Sequence, residues 1–215
     1  MHDATSPPPG LRLAVAPGVA SAQLSALLAR QRAEEPGVIL SFHEVAGDAL
    51  LEGLHEGRYD VGVSSQGGSD PALITHPLWT ENMAVAMPPQ FRLIDQEMLT
   101  ITDLQDYPIY RWQAETCSLL DEMLASLMPT AQKIIQRVTS FEMMALWVAA
   151  GYGIGVSARS CIERAHGWGI AMRPLAEGPY EIVTYLQRPH AQADSVSERF
   201  ERRALQVTGA DATTQ

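Results

Sequence analysis

The side chains in this 215-residue chain that could do covalent or metal chemistry are a thiol, a serine pair and some scattered histidines. Cys117 follows Thr116, a helix-capping residue type. Its thiol is therefore expected in the first turn of a helix, where the macrodipole favours the thiolate. Ser64 and Ser65 stand in GVSSQGG, which resembles a G-x-S-x-G nucleophile elbow except that Val63 replaces the first glycine. His43, His55, His76, His166 and His190 show no H-E-x-x-H or other metal-ligand spacing. The pairs His43-Glu44 and His55-Glu56 fall at a strand end and a helix end. Glu34-Glu35 reads as a solvated helix face and Met143-Met144 as core packing. These patterns point to no catalytic residue, no metal site and no cofactor.

A second candidate is the alternation of Gly151, Gly153 and Gly155 in TSFEMMALWVAAGYGIGVSARS. A dinucleotide loop runs strand, glycines, helix, so that the phosphates meet a helix N-terminus. Here the helix comes first. Thr139-Ser140-Phe141-Glu142 has the form of a capping box, and Phe141, Met144, Ala145 and Val148 form an apolar face. The glycines follow the helix C-terminus, where free carbonyls repel anions. Gly151 is expected to end the helix in a left-handed conformation, with Tyr152 packed back on Trp147. Gly153 and Gly155 are expected within a short strand that approaches other backbone closely.

The elements that must position these residues alternate between strand and helix. LRLAVAP is a strand stopped at Pro17-Gly18. Ser21 caps a helix with Leu24, Leu27 and Leu28 on one face, ending at Pro36-Gly37. VILSFHEV is a strand; Asp48 caps a second helix that Gly57 closes; DVGVSS is a third strand. ITHPLWTENMAVAMPP is an extended connector. The pattern then begins again, with a capping box at Thr102-Asp103-Leu104-Gln105, a strand YPIYRW and a helix from Thr116 that halts at Pro129. A strand KIIQRVTS precedes the glycine-terminated helix and its strand GIGVSA. GIAMRPL, YEIVTYLQ and a helix capped at Ser195 complete the chain. Strands alternating with helices indicate βαβ units and parallel sheets. The sequence is therefore read as α/β, with a linker at 1–10, a first lobe of 11–82 and 160–207, a second lobe of 83–159, and a frayed tail at 208–215.

Composition narrows the partners. A formal charge of −10 argues against direct binding to nucleic acid, whose phosphates demand basic patches. No apolar run approaches the roughly 20 residues of a membrane helix, and MHDATSPPPG lacks the form of a secretory signal. Two cysteines without C-x-x-C spacing fit a reducing cytoplasm.

WVAAGYGIGVSARS resembles the VAAGxGIxxxP segment of the effector-binding domain of LysR-type transcriptional regulators. The opening LRLAVAPG, the helix ending in PGV and the approach LHEGRYDVGV are similar to the same family in order and spacing, over roughly Leu11 to Phe200. Ala158 departs from the family's proline, which implies a less rigid returning crossover. The resemblance implies two Rossmann-like lobes joined by two crossover strands, a type 2 periplasmic-binding-protein-like fold, with a ligand cleft at the strands' carboxyl ends. On this sequence the cleft residues would be Pro17, Gly18, Val19, Ser64 and Ser65 from the first lobe. The second lobe would supply Arg111, Trp112, Gln113, Thr139, Ser140 and Phe141. Backbone N–H groups at two helix starts, several hydroxyls and the Arg111 cation suit a small organic anion. The resemblance further implies a homodimer or higher homo-oligomer, with contacts on the helices Ser21–Glu34 and Thr116–Leu127. It implies DNA binding through an N-terminal domain for which this sequence has no counterpart, so an expressed fragment is expected rather than a stand-alone sensor. Two alternatives stay open. One is a redox-sensing domain using Cys117, although the family's partner cysteine is Ser126 here and its preceding histidine is Thr116. The other is a solute-binding protein.

Overall fold

The computed structural model describes residues 9–19, 21–68, 70–113, 118–126, 135–176, 178, 180–190 and 195–211. Its first half runs β1 (Gly10–Val15), α1 (Ala22–Glu34), β2 (Ile39–Glu44), α2 (Gly47–His55), β3 (Val61–Ser64) and the long β4 (Leu73–Met87). Two short 3-10 turns lead to β5 (Ile109–Trp112), α3 (Ser118–Ser126), β6 (Ile135–Val138) and α4 (Phe141–Ala149). Then follow β7 (Ile154–Ala158), α5 (Arg159–Arg164), β8 (Ala171–Pro174), β9 (Glu181–Pro189) and α6 (Val196–Asp211).

The chain divides into two compact units. One takes the chain up to Trp79 and from Val183 onward; the other is Thr80–Ile182. Chain connectivity makes β4 and β9 the two strands that pass from one unit to the other. Residues 160–182, read from sequence as part of the first lobe, belong to the second unit. The reason is pairing: β8 lies antiparallel to β4, Ala84 opposite Pro174 and Met87 opposite Ala171, and so extends the second unit's own sheet. The return to the first unit comes only with β9. Ala158 therefore precedes α5, a helix the sequence reading lacked, rather than a crossover.

In the first unit β1 pairs in parallel with both β2 and β3, and β9 adds antiparallel to β3. The core is Leu11, Leu13, Leu27, Leu50, Leu54, Val61 and Phe200, all essentially inaccessible. Ser21 caps α1 through its Oγ, which accepts the Leu24 N–H at 3.2 Å. Asp48, expected to cap α2, instead lies in its first turn, and Ala46 occupies the cap position without a side-chain bond. The acid still meets the helix dipole favourably there.

Helices α1 and α6 are joined by an ionic cluster. Arg203 donates to Glu34 at 2.6 Å and to Gln31 at 2.9 Å, and reaches Glu35 at 3.0 Å; Arg199 also pairs with Glu35. Glu35 is thus a half-buried interhelical anchor rather than a solvated face. Burial alone would raise its pKa, but hydrogen bonds from Arg203, Arg199 and Gln31 outweigh that and lower it from 4.5 to about 2. A depressed folded-state pKa stabilises the fold above the unfolded value, and that contribution is lost as pH falls through the folded value. Stability is therefore expected to decline by about 2 kcal/mol from this group between pH 4.5 and 2. Urea titrations across that range check it: Arg203→Met should flatten the slope, and an unchanged slope would exclude the cluster as its source.

The second unit orders its strands β8-β4-β7-β5-β6, with β5 parallel to both β6 and β7 and β4 antiparallel to β7. Val85, Met87, Leu99, Ile109, Met144, Val148, Ile154 and Val156 form its core. The capping box expected at Thr102 begins two residues earlier. Asp103 accepts from the Thr100 N–H at 2.7 Å and from its hydroxyl at 2.8 Å, and only a 3-10 turn, Thr102–Leu104, follows. Of the Met pair, Met144 is buried and Met143 is exposed. At the chain end α6 continues to Asp211, through part of the segment read as frayed. No helix among the described residues is long and apolar enough to cross a membrane.

Candidate functional site

The glycine-rich stretch forms a turn. Tyr152 N–H donates to the Trp147 carbonyl at 3.1 Å and Gly151 N–H to the Val148 carbonyl at 2.9 Å, the paired bonds of a Schellman motif. Gly151 has φ +83°. The Tyr152 ring meets Trp147 edge-on at 5.0 Å. Gly153 lies just before β7, not within it, and a Cβ there would come within 2.3 Å of the Pro108 carbonyl oxygen. Gly151 serves the left-handed turn and Gly153 the close approach to Pro108.

The candidate ligand residues collect at strand carboxyl ends, separately in each unit. In the first, Val15 of β1 lies opposite Val63 of β3, and Ala16 N–H donates to the Val63 carbonyl at 2.9 Å. The Pro17–Val19 turn and Ser64–Ser65 consequently leave adjacent strands at the same end, next to the N-terminus of α1. Pro17, Gly18 and Ser65 are half-buried, whereas Val19 packs into the core. Ser64 is fully buried. Its hydroxyl donates to the Gln187 side-chain oxygen at 3.1 Å and accepts the Gln66 N–H at 3.2 Å. It fastens β3 to β9 rather than presenting a free hydroxyl. Gln187 is 123 residues away in sequence, and no local signal links the two.

In the second unit, Trp112 of β5 lies opposite Val138 of β6, and Gln113 N–H donates to the Val138 carbonyl at 3.0 Å. Trp112 Nε1 donates to the Thr139 carbonyl at 3.1 Å, locking the two strand ends together. Ser140, not Thr139, is the cap of α4: its Oγ accepts the Met143 N–H at 3.2 Å. That leaves the Thr139 side chain exposed beside exposed Gln113. Phe141 is buried, with its ring 6.4 Å from that of Trp168. Arg111 is 0% exposed and donates through Nη1 to the Val156 carbonyl of β7 at 3.0 Å. The cation read as a ligand contact is thus bonded across the sheet. At the start of α4 the accessible groups are Gln113, Thr139, Ser140, the exposed carboxylate of Glu142 and the helix's first N–H groups, which have no intrahelical acceptor.

Three of the histidines are tied to other groups. His55 pairs with Asp70 at 2.8 Å, His76 with Glu201 at 2.5 Å, and His43 packs 5.3 Å from the Tyr59 ring. Among the described residues no group of three or more His, Cys, Asp or Glu side chains is placed to hold a metal ion. Cys161 is buried, and Arg164 Nη2 lies 3.1 Å from its sulfur. Thr116 and Cys117 lie outside the described residues.

Strand carboxyl ends beside helix starts on each α/β unit suit the binding of a small anion. The LysR substrate binding domain family model matches residues 5–208. The transcriptional regulator AlsR of Bacillus subtilis is 26% identical over 134 residues, which are 61% of this chain and 44% of that protein. The chain therefore spans less than half the length of this regulator. Among solved structures, the BenM effector binding domain with its effector benzoate superposes with a TM-score of 0.83 at 19% identity, over 98% of this chain and 96% of that one. The QuiR effector binding domain in complex with shikimate gives a TM-score of 0.79 at 17% identity, over 94% and 97%. This chain belongs to the LysR substrate-binding domain family, the effector-binding domain of LysR-type transcriptional regulators.

Proposed function

We propose that this domain senses a small organic anion, held at the strand carboxyl ends. The observation that carries this reading is the α4 start: Ser140 caps the helix, Thr139 and Gln113 are exposed beside it, and the helix dipole favours a carboxylate there. The BenM and QuiR domains hold benzoate and shikimate, both carboxylates. The contact-making groups are then Pro17, Gly18, Ser65, Gln113, Thr139 and Ser140. Val19, Ser64, Arg111, Trp112 and Phe141 hold the frame on which these sit. Binding biases DNA binding by another domain of the regulator in the cytoplasm, and the effector shifts that balance only by its difference in affinity between states. The domain works as a homodimer through the outer faces of α1 and α3. Of the segment Thr116–Leu127 assigned to that contact, both terminal residues lie outside the described ones.

A thermal-shift screen against aromatic and hydroxy acids tests the reading. A ligand at 100 times its Kd adds about 2.7 kcal/mol, a shift of several degrees. Ser140→Ala is expected to cost about 1 kcal/mol of stability by loss of the cap and to weaken the ligand-induced shift. A shift of full size in Ser140→Ala and in Thr139→Val would remove α4 from the site.

A further inference from the structure

The second unit contains a pocket whose lining includes none of the candidate ligand residues. Its volume is about 500 Å³, and Asn82, Met83, Arg159, Met172, Leu175 and Tyr180 are among its walls. Ligand pockets fall in the range of roughly 300–1,000 Å³ and combine apolar walls with a few polar groups. Met83, Met172 and Leu175 provide the former; Asn82, Arg159 and Tyr180 provide the latter. We infer that this pocket is a second small-molecule site, taking an amphipathic monocarboxylate with its apolar body against the methionines and its carboxylate on Arg159.

The walls are braced from both sides. Met83 N–H donates to the Tyr180 carbonyl at 2.8 Å, joining β4 to the approach of β9. On the other side, Leu99 N–H donates to the Pro174 carbonyl at 2.9 Å and Ala176 N–H to the Leu99 carbonyl at 2.8 Å. The segment after β8 is thereby pinned and the cavity is preformed, which reduces the ordering cost of binding. Methionine walls adapt to flat or flexible apolar groups alike.

Arg159 selects the charge. Its Nε donates to Glu163 at 2.7 Å, and the two side chains are 60% and 48% exposed. A surface i,i+4 ion pair of this kind contributes little, so a ligand carboxylate can replace Glu163 at small cost. The other acid near this wall, Glu81, accepts the Ser160 hydroxyl at 2.8 Å and is held by it. Glu163 therefore acts as a competitor for Arg159, and removing its charge strengthens anion binding. Of the pocket walls, Met83 lies in the connecting strand β4 and Tyr180 immediately precedes the connecting strand β9. Occupancy here can therefore tune a response set by the first effector.

The test follows the methionine methyl resonances of the whole chain during titration with 4-phenylbutyrate and with its uncharged amide. Met83 and Met172 are assigned by Met→Leu substitution. The expected result is saturable shifts at both methyls with the acid and at least about tenfold weaker binding of the amide, as a charge-assisted bond is lost. Arg159→Ala should weaken the acid by about the same factor, while Glu163→Gln should tighten it several-fold. No shift at Met83 and Met172, equal binding of acid and amide, or an affinity unmoved by Arg159→Ala overturns the proposal.

Discussion

Glu201→Gln is expected to cost about 3–5 kcal/mol of stability, the range for breaking a buried ion pair from one side. Glu201 sits on α6 and is nearly buried. One carboxylate oxygen pairs with Arg188 of β9, and the other lies 2.5 Å from His76 Nε2 on β4. Arg188 is itself 6% exposed, so the amide variant leaves a guanidinium desolvated without a counter-charge. His76, more exposed, can return to water at small cost. The control is Arg188→Met with Glu201→Leu, which removes both charges together and should restore stability to within about 1 kcal/mol of the parent. Denaturant unfolding of the parent, Glu201→Gln and the double variant gives the comparison directly. A single variant within 1 kcal/mol of the parent would mean that water reaches Arg188.

Gly153→Ala is expected to cost about 3 kcal/mol, the upper end for overpacking. Most inserted methyl groups meet side chains that can rotate away. Here the obstacle is the Pro108 carbonyl oxygen, 2.3 Å from the added Cβ, and that oxygen also accepts the Ile154 N–H at 2.9 Å. Moving it apart stretches the first bond between the approach to β5 and β7. Gly151→Ala is the comparison: its Cβ meets nothing within 4 Å, so its cost is the left-handed backbone alone. Urea midpoints should rank parent, Gly151→Ala, Gly153→Ala in falling order. The reverse order of the two variants would show that the turn, not the close approach, is what these glycines protect.

Local signals in the chain were readable where one segment answers to itself. The turn after α4 is such a case: helix periodicity, then glycine, then an aromatic directly after it, gave both the Schellman bonds and the Trp147–Tyr152 contact. So is the Ser21 cap. Errors arose where distant segments decide. Residues 160–182 carry no mark of which sheet they will join, and only the pairing of β8 with β4 places them in the second unit. Family resemblance and its charge assign Arg111 to the cleft; its bond to the Val156 carbonyl depends on a neighbour 45 positions away. Glu35 looked solvated for the same reason, since Arg199 and Arg203 arrive from α6. Capping residues were misplaced by one or two positions at Thr102 and Thr139, because threonine and serine neighbours offer competing caps and sequence alone does not choose between them.

The central claim is that small carboxylates bind at the carboxyl ends of β1, β3, β5 and β6, against the starts of α1 and α4. Amide hydrogen exchange of the full chain, with and without a pooled panel of aromatic and hydroxy acids, tests it most directly. Slowed exchange confined to the residues around 17–25 and 139–145 is the result expected. Exchange unchanged in both segments, with slowing elsewhere or nowhere, would contradict it.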